Sequence, residues 1–205
     1  MRAQVVAVAL VLFPALALAD NTFEQRAAQA KRLVHLDEVL WAATASCDKG
    51  DDTLQRQCRR VRQATLDAHA GALVLVDGEP DAFEIGAWNA AKKSLPLRLA
   101  ACVRCKPVDV DGKKLRVAPA KTAALYDNAK QFPDEPAAVA WAKLAKAHRV
   151  ELLVKLPDKR WPLAGGTLTV DVVGYRVIAV CDGSILAASP PSQPVTPDKK
   201  ACAVP

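Results

Sequence analysis

Between Arg149 and Ser189 the pattern of apolar and polar positions reads as sheet at nearly every position. Val150, Leu152, Val154 and Leu156 alternate with Glu151, Leu153 and Lys155, the period of two expected of a half-buried strand. After a turn marked by Pro162 and Gly165-Gly166, Leu168, Val170, Val172, Ile178 and Val180 share one parity from Thr167 to Val180. Arg176 breaks that parity just after Gly174, which predicts a bulge that re-aims the second half of the strand. Asp182-Gly183 is a hairpin signal and predicts that Ile185 to Ala188 folds back on Tyr175 to Val180.

Upstream the period changes. Thr22 to about Ala45 reads as one helix, opened by a capping box of Thr22 and Gln25. A second helix is predicted from Asp52 to His69, started by Asp51-Asp52 and ended by Gly71. Its apolar arc holds Leu54, Cys58, Val61, Thr65 and Ala68, and its opposite arc Arg56, Arg59, Arg60 and Gln63. ALVLVD from Ala72 reads as a short buried strand, Phe83 to Ile85 as another, and Leu95 to Val103 as an alternating one. Asp111-Gly112 predicts a second hairpin between Val108–Val110 and Lys114–Val117. Asp134 caps a further helix whose apolar stripe is read as Ala137, Ala140, Trp141, Leu144 and His148, with Lys143 and Lys146 outward.

These elements predict an α+β fold: a mixed, mainly antiparallel sheet with packing helices, preceded by a disulfide-linked helical hairpin. The segments are residues 1–19, the helical hairpin 20–70, the α+β unit 71–189 and a proline-rich tail 190–205. Residues 1–19 read as a cleaved secretory signal: Arg2, an uncharged apolar run from Val5 to Leu18, then Ala17-Leu18-Ala19 before Asp20. A cut after Ala19 places the chain in the periplasm or outside the cell, with no membrane span in the mature protein. The tail is expected to be extended and held only by a bond to Cys202.

Composition changes this picture modestly. Of 205 residues 39 are alanine and aromatics make up 5%, so large core side chains are few and covalent staples help. The formal charge of +6 is mild and does not call for a nucleic-acid partner. Six cysteines in an exported chain imply three disulfides. Cys47 and Cys58 are placed to bridge the helical hairpin. For the rest, Cys102–Cys105 with Cys181–Cys202 competes with a Cys105–Cys181 bond between strand ends.

The run LAKAHRVELLVKL followed by GTLTVDVVGYRVIAVCDGSILAAS resembles periplasmic α/β envelope-assembly modules. These are the domains related to the curli secretion lipoprotein and to the outer-membrane activators of penicillin-binding proteins. The resemblance covers Leu144–Leu156 and Thr167–Ala188 and is one of hydrophobic pattern. It implies a binding or scaffolding role at the envelope, with an envelope protein or cell-wall component as partner and no catalytic residues. This chain differs in carrying cysteines, including Cys181, and in lacking a lipid-attachment cysteine.

Little else points to chemistry. Cys102-Val103-Arg104-Cys105 is a C-x-x-C, and Arg104 and Lys106 could lower a thiol pKa there. The following KPVDVDG reads as strand and turn, so the helix N-terminus that stabilises a redox thiolate is missing. The compartment favours a structural bond, and thiol–disulfide oxidoreduction is the alternative. Arg56, Arg59 and Arg60 form a possible anion-binding face, without the aromatics that nucleic-acid binding wants. His35, His69 and His148 have no partner at metal-ligand spacing, and no metal or other cofactor is expected. Ser184 sits in a tight turn rather than a nucleophile elbow, and Asp77, Glu79 and Asp81 read as a polar loop. The chain reads as an exported, non-catalytic binding, structural or envelope-assembly protein.

Overall fold

The computed structural model describes residues 22–33, 36–121, 123–158, 161 and 163–198. In chain order the elements are α1 (Phe23–Gln29), β1 (Lys31–Leu33), α2 (Asp37–Thr44), α3 (Asp52–His69), β2 (Leu73–Asp77), β3 (Phe83–Ile85) and β4 (Ser94–Leu99). They continue with β5 (Arg104–Val110), β6 (Lys113–Pro119), β7 (Tyr126–Gln131), α4 (Glu135–Lys146), β8 (His148–Lys155), β9 (Leu163–Ala164), β10 (Thr167–Ala179) and β11 (Ile185–Ser189). The fold is α+β, as expected.

The larger sheet runs β1-β2-β8-β10-β6-β5, with β11 and β9 also on β10. Its pairs are antiparallel except β1 with β2 and β10 with β6. A separate antiparallel sheet runs β3-β4-β7. Strand β10 reaches two sets of neighbours because it is long. Its first residues pair with β6 and β9, and its later ones with β8 and β11.

The expected bulge is present. Asp171 and Val172 face Lys155 and Val154, but Gly174 already faces Leu153, so Val173 is the extra residue. Its effect goes further than the alternation suggested. Leu168 and Val170 face the main core before the bulge, and Val177 with Tyr175 after it, so the core parity switches. Ile178 therefore does not continue the row of Leu168, and Arg176 lands on the other face of the sheet opposite Glu151.

That main core is one face of β2, β8 and β10 (Val74, Val76, Val150, Leu152, Val154, Val177). It is closed by Leu36, Val39 and Leu40 around α2 and by side chains of β3 to β6. The other face carries a small second core, Phe23 of α1 with Leu75 and Leu153. Both hairpin signals hold: Asp111 and Gly112 take positive φ (51° and 74°) in the β5–β6 turn, and β11 returns on β10.

Several expectations fail for tertiary reasons. The single helix over residues 22–45 is broken. Its capping box stands at Thr22, but α1 ends at Gln29, and β1 then adds in parallel to the edge of β2. Backbone pairing along an open edge outweighs a weak local helix preference. In α3 the buried side shares only Cys58 and Thr65 with the expected arc. Leu54 and Val61 are about half exposed, and the inner face carries Cys58, Arg62, Thr65 and His69. The Cys47–Cys58 bond and the Arg62 Nε–H donated to the Ala42 carbonyl fix that rotation.

The stripe of α4 is corrected too. Ala138 and Ala145 are buried, Trp141 is partly buried, and Ala140 and Leu144 are exposed. One residue separates α4 from β8, so the strand sets the helix rotation, and the small alanines allow close approach. His148 is the first residue of β8 rather than part of the helical stripe.

The tail, finally, is anchored by its backbone. Pro191 O accepts from Phe23 N–H, Val195 N–H donates to Gly183 O, and Asp198 N–H donates to Val180 O. Gly183 has φ 72°, and a Cβ there would run into the Val195 carbonyl, so the tail lies directly against the β10–β11 turn.

Candidate functional site

The C-x-x-C closes as a Cys102–Cys105 disulfide between β4 and β5. Cys102 is buried within the main core beside Val103, whereas Cys105 is exposed. No helix begins there; Cys105 lies inside β5, next to a register shift against β6. The loop of Glu79 to Ala82 borders this bond. Lys106 Nζ sits 2.7 Å from Asp81 Oδ2, and Lys106 N–H donates to Glu79 Oε1. The Lys106 ammonium holds the Asp81 carboxyl below its ordinary range, and Asp81 in turn raises Lys106. Lys106 is thus engaged by a carboxylate rather than directed at a sulfur.

Beside it, His148 Nε2 lies 2.7 Å from Pro80 O and Nδ1 3.0 Å from Ala145 O, with the ring edge-on to Phe83. The imidazole lies between the end of α4 and this loop. A concavity of about 340 Å³ lies against it, lined by Phe83, Ile85, Gly86, Ala142, Lys146 and His148.

Cys47–Cys58 forms as expected, with Cα atoms 5.6 Å apart. Cys181 is disulfide-bonded, and with Cys105 taken by Cys102 the Cys105–Cys181 alternative is excluded. Cys202 and His35 lie outside the described residues, as do residues 1–19.

Of the three acidic residues of the polar loop, Glu79 and Asp81 both engage Lys106, through its N–H and its Nζ, whereas Asp77 pairs with Arg32 at 3.0 Å. Arg56, Arg59 and Arg60 are exposed on α3, where Arg56 Nε donates to Asp52 O. Thr53, Arg56, Gln57 and Arg60 line a shallow hollow of about 500 Å³. Ser184 belongs to the Asp182 turn, its N–H donating to Asp182 Oδ1. Among the described residues no group of His, Cys, Asp and Glu could hold a metal, and no helix is long and apolar enough to cross a membrane.

One charged cluster among the described residues does not stand out in the sequence. Glu151 is 1% exposed on the face opposite the main core. Its Oε2 accepts from Arg176 at 2.7 Å, and its Oε1 lies 3.2 Å from Arg149 and 3.9 Å from Arg32. Arg176 also reaches Glu24 Oε1 at 3.0 Å and lies 4.7 Å from the Phe23 ring centroid. Ser192 Oγ–H and Gln193 N–H donate to the same Glu24 oxygen. Burial pushes the Glu24 carboxyl up, but the Ser192 hydroxyl and the backbone donors outweigh it and leave it below its ordinary value. Three arginines meet Glu24, Asp77 and Glu151, so the cluster neutralises itself and joins α1, the sheet and the tail. The signal was present: Glu151 interrupts an apolar strand and Arg176 breaks a parity, but only the register places them opposite each other.

His69, 3% exposed at the end of α3, has no partner for Nδ1. Burial, with Lys31 nearby, lowers its pKa against the opposing influence of Glu38. A folded-state value below the unfolded one gives stability that is present above the unfolded value of about 6.5 and lost as pH falls through the folded value. Thermal unfolding from pH 7.5 downward is expected to show a loss beginning near 6.5 in the parent that is absent from His69→Leu. Parallel pH profiles for the two proteins would contradict this.

Compared with known proteins, the chain matches no family model, no curated protein and no solved structure.

Proposed function

We propose that this is an exported, non-catalytic binding or structural protein of the cell envelope, cut after Ala19 and held together by disulfides. The observation that carries the reading is the asymmetry of the Cys102–Cys105 bond. Attack by an outside thiolate can reach only the exposed Cys105 sulfur, which makes the Cys102 sulfur the leaving group. That thiolate would form inside the apolar core, without a helix N-terminus and with Lys106 already paired to Asp81. Such an arrangement suits a staple and opposes rapid exchange. The helix-to-strand step from α4 to β8 and the β10–β11 hairpin are the pieces on which the resemblance to envelope-assembly modules rests. They favour a scaffolding role with an envelope protein or cell-wall component.

The competing reading is a thiol–disulfide oxidoreductase. Insulin reduction driven by dithiothreitol is expected to proceed at the rate of dithiothreitol alone when the folded protein is added. A several-fold acceleration that disappears in Cys105→Ser would overturn the non-catalytic reading.

A further inference from the structure

Strand β3 has an open edge. Its pairing with β4, marked by Gly86 N–H to Pro96 O and Ala100 N–H to Ala82 O, turns the backbone groups of Glu84 towards β4. The C=O of Phe83 and the N–H and C=O of Ile85 therefore point the other way, and among the described residues they meet no partner. Phe83 N–H, on the same side, donates to Pro80 O. The side chains of Phe83 and Ile85 share one face of the strand, against the concavity of about 340 Å³ that α4 closes with Ala142 and Lys146. Gly86 and His148 complete its lining, and no carboxylate is among these residues.

The charge at this concavity says what fits it. Lys146 makes no ion pair among the described residues, whereas His148 has both ring nitrogens against carbonyls, Pro80 O and Ala145 O. The negative end of the α4 dipole is largely covered, since Ala145 O faces His148 and Ala147 O accepts from Val180 N–H. An extended chain laid on the β3 edge meets the open backbone groups and sets alternate side chains on the Phe83 and Ile85 face. Where such a chain ends, its last apolar side chain enters the hollow and its carboxylate reaches Lys146. A small apolar acid would fill the hollow but leave the strand edge unpaired. We propose that β3 and α4 form a groove that binds the C-terminus of an extended peptide whose last residue is apolar. This names the partner chemistry of the binding reading above and rests on it. The insulin assay does not involve this groove, so the two fail separately.

The probe is an N-acetylated, alanine-rich pentapeptide ending in leucine, added to the isotope-labelled protein and followed by amide chemical shifts. Shifts are expected at Phe83 to Gly86, Ala142 and Lys146, with a Kd of about 1 mM or tighter. Exchange of the Ile85 N–H should slow at saturation, which filling of the hollow alone would not cause. The free carboxylate should bind roughly two- to fivefold more tightly than the C-terminal amide. Lys146→Met should erase that preference and leave the affinity of the amide unchanged. Ala142→Phe, which fills the hollow, should weaken both peptides more than tenfold. Lys146 is exposed, so its variant carries the test even where Ala142→Phe does not fold. No shifts in this groove at about 5 mM peptide overturn the proposal. An amide bound as tightly as the acid does so too, as does a preference that survives Lys146→Met. Phenylpropionate bound as tightly as the peptide, with Ile85 exchange unchanged, overturns it in favour of a pocket for small acids.

Discussion

Arg176→Met is expected to cost about 3–5 kcal/mol of folding free energy, a large share of the roughly 5–15 kcal/mol that holds a domain together. The side chain sits between two carboxylates, 2.7 Å from Glu151 and 3.0 Å from Glu24, at 12% exposure. Without it, Glu151 stays at 1% exposure with only Arg149 and Arg32 beside it, and both of those are half in water. Those two half-exposed arginines compensate the carboxylate only in part, and a buried charge short of its partner costs more than an absent ion pair. The double variant Glu151→Leu, Arg176→Met is therefore expected to recover most of the loss, because it removes both charges and leaves apolar volume. Urea denaturation of the two single variants and the double variant closes the cycle. A loss below about 1 kcal/mol for Arg176→Met would mean that water reaches the cluster, and its structural role would fall.

Phe23→Ala is expected to cost a similar amount, about 3–5 kcal/mol, for a different reason. Phe23 is fully buried, and its cluster comprises only Leu75 and Leu153 besides partly buried neighbours. A seven-residue helix has little stability of its own, so this one side chain holds α1 on the sheet. The tail depends on the same contact, because Pro191 accepts from Phe23 N–H and Ser192 and Gln193 donate to Glu24. Hydrogen exchange should therefore show faster exchange at Phe23 and Gln193 together in the variant, with β8 and β10 still protected. Unchanged protection at Gln193 would show that the tail is anchored independently of α1. The Arg176 guanidinium stacks on the Phe23 ring, so the two losses will not add.

Strand existence was legible from the sequence wherever one face of the strand meets the core. The alternation around Val150 to Val154, the bulge after Val172, both hairpins and the ends of α3 all follow from local chemistry. Pleat parity, a left-handed turn pair and a capping aspartate each act within a few residues, so neighbouring letters suffice to specify them. The uncharged apolar run from Val5 to Leu18 and the cysteine count belong to the same class of local information, and they frame the functional proposal without naming a ligand.

Long-range pairing decided the rest. Residues 31–33 become a strand because the edge of β2 is open, and β7 forms on β4 despite its polar sequence, Tyr126 to Gln131. Helix rotation was lost for a related reason. Four large apolar residues of α3 and α4, Leu54, Val61, Val139 and Leu144, are exposed, while Leu66 and Trp141 are partly buried. In α3 a disulfide and an arginine hydrogen bond fix the rotation, and in α4 a one-residue link to β8 does so, rather than side-chain size. The Glu24–Arg176–Glu151 cluster likewise needs residues up to 152 positions apart. What the chain determined alone was the local conformations and the cysteines. Which faces became core, which carboxylate was buried and which helix face was left free came from the register of β10 against β8 and the docking of α1 and the tail. Those are contacts between distant segments, whose energies no local pattern encodes.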